Sequence, residues 1–145
     1  MSGKLLLGTA AVLTFGLFCI ASTSPANATG QSKHAVTVVR LINTAEAYAH
    51  RAQARYVSFP ELVSSGALNE AAQMNPDFTS AFADLYRARV HNKAPIQGFD
   101  LAIVVSSDGG SYKLSLTAKD DCSAAYFTDE RGIIYTGKPI GCPAN

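Results

Sequence analysis

The 145-residue chain has no tryptophan, only three cysteines and three histidines, and no long run of like charges. Charged residues make up 16% and apolar residues 48%, which excludes a disordered tail and a coiled coil. The net charge is +1, too small for a general electrostatic attraction to nucleic acid or anionic lipid. The length leaves room for one domain.

The first 28 residues have the layout of a secretory signal peptide. Lys4 precedes an apolar run from Leu5 to Ala21, which is broken only by Gly and Thr, and Ala26-Asn27-Ala28 follows a polar stretch. Small residues at these last positions are typical of a signal-peptidase site. We predict cleavage after Ala28 and an exported domain over residues 29–145, periplasmic or extracellular. The alternative is a retained membrane anchor, because the run is at the short end of what spans a bilayer.

The exported chain would keep Cys122 and Cys142, because Cys19 leaves with the signal peptide. An even pair of cysteines in an exported protein is most simply a disulfide bond. A metal site is the weaker alternative, since two ligands twenty residues apart have no histidine nearby. We therefore predict a C-terminal disulfide loop.

Helical patterns occupy the first part of the exported chain. Residues 29–34 are polar and are expected to be loose, whereas apolar residues recur at helical spacing from Ala35 to Tyr56. A helical turn is expected at Pro60–Gly66, and Asn75-Pro76-Asp77 is typical of the start of another helix.

The last third alternates apolar and polar residues, which is typical of strands. Phe99–Val105 and Tyr112–Leu116 are joined through an Asp-Gly turn, and shorter strands are expected at Ala124–Thr128 and Ile133–Thr136. The polar face of the first hairpin is expected to face solvent, and the long helix to cover the apolar face. The predicted class is α+β: a long N-terminal helix packed on a four-stranded antiparallel sheet.

Several segments resemble the globular part of type IV pilin-like and pseudopilin-like proteins. These are Leu41–Tyr48 (LINTAEAY), Gly98-Phe99, Gly110-Ser111-Tyr112 and Ala125–Tyr135 (AYFTDERGIIY). The resemblance covers about residues 36–142. It implies the same α+β fold, in which a C-terminal disulfide loop is common, and partner contacts through the sheet and loops.

The chain departs from that family at its N-terminus. The prepilin cleavage and methylation motif and the apolar stem that follows it are missing before Val36. We therefore expect an exported, non-enzymatic pilin-like interaction or accessory domain that meets protein partners at the cell envelope. If the N-terminal segment is retained, the alternative is a membrane-tethered minor pilin or pseudopilin subunit.

No arrangement of residues points to catalysis, a cofactor or a metal. Glu46 and His50 stand one helical turn apart, and we interpret them as a surface hydrogen bond rather than half a metal site. Asp120, Asp121 and Asp129 lack the close spacing of a calcium loop and are expected to be solvated.

The arginines suggest an alternative function, the binding of a polyanion. A basic patch that binds DNA or another polyanion would be formed by Arg40, Arg51, Arg55, Arg87 and Arg89. The near-neutral chain favours a solvated surface instead, so binding of nucleic acid is possible but not favoured.

Overall fold

The computed structural model describes residues 25–91, 96–119 and 124–138. Within them, four helices precede four strands, which confirms the predicted α+β class and the helix packed on an antiparallel sheet. The elements are α1 (Pro25–Gln53), α2 (Phe59–Ser64), α3 (Ala67–Gln73), α4 (Phe78–His91), β1 (Phe99–Val105), β2 (Tyr112–Ala118), β3 (Ala125–Asp129) and β4 (Tyr135–Gly137).

Helix α1 starts earlier and ends earlier than the sequence pattern predicted. The expectation that residues 29–34 are loose is wrong, because they are helical. Their polar side chains make tertiary contacts: the Ser32 hydroxyl bonds to the Tyr126 hydroxyl on β3, and His34 Nε2 lies 2.8 Å from Asp84 Oδ2 on α4. Hydropathy alone does not distinguish such anchored polar residues from a polar tail.

The other end of α1 is closed by a change of backbone conformation. Ala54 adopts a left-handed φ of 56°, and its N–H still donates to the His50 carbonyl at 2.8 Å. The helix therefore ends at Gln53 rather than at Tyr56. Ser58 and Pro60, from which the end was predicted, instead begin α2.

Helix α1 lies between two layers. One side packs against α3 and α4, and another against β2 and β3 of the sheet. Residues on both sides are fully buried, so the helix is central to the core and not only a cover for the sheet. The largest fully buried side chains of the described residues include Leu41, Ile42, Leu62, Leu68, Leu85, Leu114, Leu116 and Tyr126.

The sheet is a meander in the order β1-β2-β3-β4, with all pairs antiparallel. The register places Leu101 opposite Leu116 and Leu116 opposite Tyr126, so these side chains share the face that α1 covers. The two hairpins match the predicted strands to within two residues at each end. Successive residues in a strand point to opposite faces, so the register also defines which side chains point away from α1.

Candidate functional site

The face of the sheet that points away from α1 carries a shallow groove of about 380 Å³. Its lining comes from all four strands, because the register aligns outward residues of neighbouring strands. The outward side chains that line it are Ala102, Val104, Lys113, Ser115, Phe127, Asp129 and Tyr135.

This groove is more apolar than the sequence predicted. Val104 is 65% exposed, Phe127 44% and Tyr135 48%. This exposure is unfavourable, because removing a large apolar side chain from water lowers the free energy. The face does point to solvent as expected, but it is not simply polar. The apolar character arises only when the two hairpins join, because register brings Phe127 and Tyr135 opposite each other beside Lys113 and Ser115.

Three charged side chains lie at one rim of the groove. Lys113 is the register partner of Asp129, but Asp129 is bonded by Arg131, whose Nη2 lies 2.6 Å from Oδ2 and whose Nε lies 3.0 Å from it. These charged hydrogen bonds lower the pKa of the Asp129 carboxyl. Within the described part of the chain Lys113 forms no ion pair, so the rim carries two cations and one anion.

Glu46 corrects the prediction of a surface pair with His50. Its side chain is completely buried, and Oε2 accepts a hydrogen bond from the Val57 N–H at 3.1 Å. Oε1 has no hydrogen-bond partner among the described residues. Burial, aided by the nearby Glu61 charge, raises the Glu46 pKa to about 7 despite the opposing hydrogen bond from Val57.

The rings around Glu46 form a packed aromatic group. His50 is exposed and stacks on Tyr56 at 4.5 Å between ring centroids, and Tyr56 lies 4.9 Å from Tyr112. Burial raises the pKa of the Tyr112 hydroxyl, which donates to Asn43 Oδ1 at 2.9 Å. The group stabilises the contact between α1 and β2, and Glu46 has no exposed surface at which to meet a substrate.

The five predicted arginine positions are exposed, but two of them are already engaged by acids. Arg55 pairs with Glu61 and Arg87 with Asp84. Arg40 and Arg51 lie on the exposed stripe of α1, and Arg89 on α4. No ion pair within the described ranges involves these three.

Several predicted features lie outside the described residues. These are the apolar run of the signal peptide, Leu5–Ala21, the cysteines Cys122 and Cys142, and the two aspartates at 120 and 121, whereas the predicted cleavage site at residues 26–28 lies in the first turn of α1. The third aspartate, Asp129, is bonded to Arg131. Among the residues with described positions, no three His, Cys, Asp or Glu side chains are grouped to hold a metal ion. No helix in that part of the chain has the length and apolar character needed to cross a membrane.

Comparison with known proteins gives no relative for this architecture. No protein-family model matches the chain. Neither a curated protein nor a solved structure matches it.

Proposed function

We propose that the chain is an exported, non-enzymatic, pilin-like interaction domain that meets a protein partner at the cell envelope. The support comes from the signal-peptide pattern, from the segments that resemble pilin-like proteins, and from an α+β arrangement in which a long helix packs on a four-stranded meander. In this proposal residues 29–145 form the mature, functional domain, and residues 1–28 direct its export.

The observation that carries the interaction role is the open groove on the sheet. Helix α1 covers the other face of β2 and β3, whereas Val104, Phe127 and Tyr135 stay in contact with water. An exposed group of large apolar side chains beside charged residues is typical of a protein-binding surface. Catalysis is not part of the proposal, since Glu46, the carboxyl whose pKa is raised to about 7, is buried in the core.

Export is tested by N-terminal sequencing and intact-mass measurement of the protein recovered from its native host. We expect a chain that begins at Thr29 and is about 2 Da lighter than its chemically reduced form, because a disulfide joins Cys122 and Cys142. A chain that retains Leu5–Ala21 would contradict export by cleavage and favour the tethered subunit.

The interaction surface is tested by photo-crosslinking in the native host. The photoreactive residue p-benzoylphenylalanine replaces Val104 in the groove or, as a control, Ala83, which is exposed on α4. We expect one discrete crosslinked protein with the Val104 probe and none with the Ala83 probe. Equal crosslinking from both positions, or none from either, would contradict a partner-binding sheet face.

A further inference from the structure

The dimensions of the groove restrict what can occupy it. Because it is lined from β1 to β4 and neighbouring strands are about 4.8 Å apart, it is about 14 Å long. A single extended chain of about four residues matches this length.

The groove is apolar at both ends and positive along its rim. Val104 lies at the β1 end, and Phe127 and Tyr135 lie at the β3–β4 end. Lys113 projects beside them, while the Asp129 carboxylate opposite is held by Arg131. A ligand that buries apolar groups here and brings one negative charge to Lys113 matches both features, since a complementary charge sets position and specificity.

Hydroxyl groups distinguish between the possible sources of such a ligand. Ser115 and the phenol of Tyr135 both line the groove. A fatty acyl chain would cover these groups without offering hydrogen bonds, which costs free energy, whereas a peptide backbone supplies donors and acceptors along its whole length.

From these features we propose that the groove binds an extended peptide segment of the partner protein, with bulky apolar side chains next to one acidic residue. This inference rests on the proposed interaction function and specifies its ligand. The apolar side chains contact Val104 and Phe127, and the carboxylate pairs with the Lys113 ammonium.

The test is a titration of the ¹⁵N-labelled exported domain, at low ionic strength, with two synthetic peptides. These are acetyl-Leu-Phe-Asp-Leu-amide and its Asn counterpart. We expect the Asp peptide to shift the amide signals of β1, β2 and β3 and to bind about three-fold more tightly than the Asn peptide, as a partly exposed ion pair allows. Equal affinity for the two peptides, or shifts confined to other elements, would overturn the proposal.

Two variants assign the charge preference to one residue. Lys113→Gln is expected to abolish the difference between the peptides, whereas Lys119→Gln is expected to preserve it, because Lys119 already pairs with Asp100 at 3.2 Å. Loss of the preference in both variants would show nonspecific charge attraction and overturn the assignment to Lys113.

Sodium decanoate serves as the lipid-like probe. Binding of decanoate at these strands without binding of either peptide would overturn the choice of a peptide. If the Val104 crosslink forms in the native host while the peptide preference fails, the interaction domain stands and only its ligand chemistry is wrong. If the crosslink fails as well, both proposals fail.

Discussion

The Glu46 carboxylate and the Val57 N–H, eleven residues apart, are joined by a 3.1 Å hydrogen bond in the core. This bond fixes the segment that follows α1 against the helix itself. The next contact extends the connection, because the Tyr56 N–H donates to the Gly109 carbonyl in the β1–β2 turn at 2.9 Å. One buried carboxyl therefore helps to hold α1, the connector and the first hairpin together.

Because the Glu46 carboxyl is buried, we predict that the free energy of unfolding decreases as pH rises. Its pKa is about 7 in the folded protein, against 4.5 for the ordinary group. A raised pKa means that the folded state binds the proton more tightly, so the stabilisation is complete below pH 4.5 and is lost between about pH 4.5 and 7. We expect the free energy of unfolding to fall by about 3 kcal/mol over this window, as measured by urea denaturation at a series of pH values.

Glu46→Gln tests the assignment, because the amide has nearly the same shape and does not ionise. The variant should lose this pH dependence and should be more stable than the wild type at pH 8. Glu70→Gln changes an exposed carboxyl and should leave the profile intact. A wild-type profile that stays flat between pH 4.5 and 7 would contradict the burial of Glu46.

Substitution of Gly109 in the β1–β2 turn is expected to reduce stability more than substitution of another turn glycine. Its φ is 71°, and an added Cβ would lie 2.8 Å from the Arg55 Cβ. Gly132 has a similar φ of 73° but open space around it. Thermal unfolding should show a loss of about 1 kcal/mol for Gly132→Ala, from backbone strain alone, and about 3 kcal/mol for Gly109→Ala, where the clash adds to the strain. Equal losses would mean that the turn does not pack on Arg55.

The hydrogen bonds of Asn43 are expected to couple α1 energetically to the sheet. Its Oδ1 accepts from the Tyr112 hydroxyl at 2.9 Å, and its Nδ2 donates to Thr128 Oγ1 at 3.0 Å. Asn43→Ala should cost about 2 kcal/mol because both partners lose a hydrogen bond. In a double-mutant cycle with Tyr112→Phe, the combined loss should be about 1 kcal/mol smaller than the sum.

The control for this cycle is Thr44→Ala. The Thr44 hydroxyl bonds only to the Arg40 carbonyl of its own helix among the described contacts, so its removal should change stability little and show no coupling to Tyr112→Phe. Strict additivity of Asn43→Ala and Tyr112→Phe would contradict the hydrogen bond between α1 and β2.

The strands were predictable because each one carries its own alternating pattern. The position of Phe99–Val105 follows from the sequence of that segment alone. Helix α3 was missed although Ala67, Leu68, Ala71 and Ala72 recur at helical spacing, because its seven residues make only about two turns. Ala67, Leu68 and Ala71 are the residues that α3 buries, and α3 packs against α1.

The groove and the buried carboxyl depend on relations between distant segments. Glu46 is flanked by Ala45 and Ala47 in the sequence, and no local pattern shows that Val57 returns to meet it. A buried charge in the middle of a helix is rare enough that a solvated position is the reasonable expectation. For the groove, Phe127 and Val104 share a face only through the register of three strands.

The exposed arginines predict weak binding to polyanions. Arg55 and Arg87 are engaged by Glu61 and Asp84, and Arg40 and Arg51 are eleven residues apart on α1, a rise of about 16 Å. We expect a protein of residues 29–145 to leave a heparin column at low salt, because few phosphate-like contacts can form at once. Glu61→Gln releases Arg55 and should raise the eluting salt concentration slightly, whereas Glu70→Gln, which adds the same charge elsewhere, provides the comparison. Retention above about 0.3 M NaCl that is lost in the Arg40→Gln/Arg51→Gln variant would instead establish polyanion binding through α1.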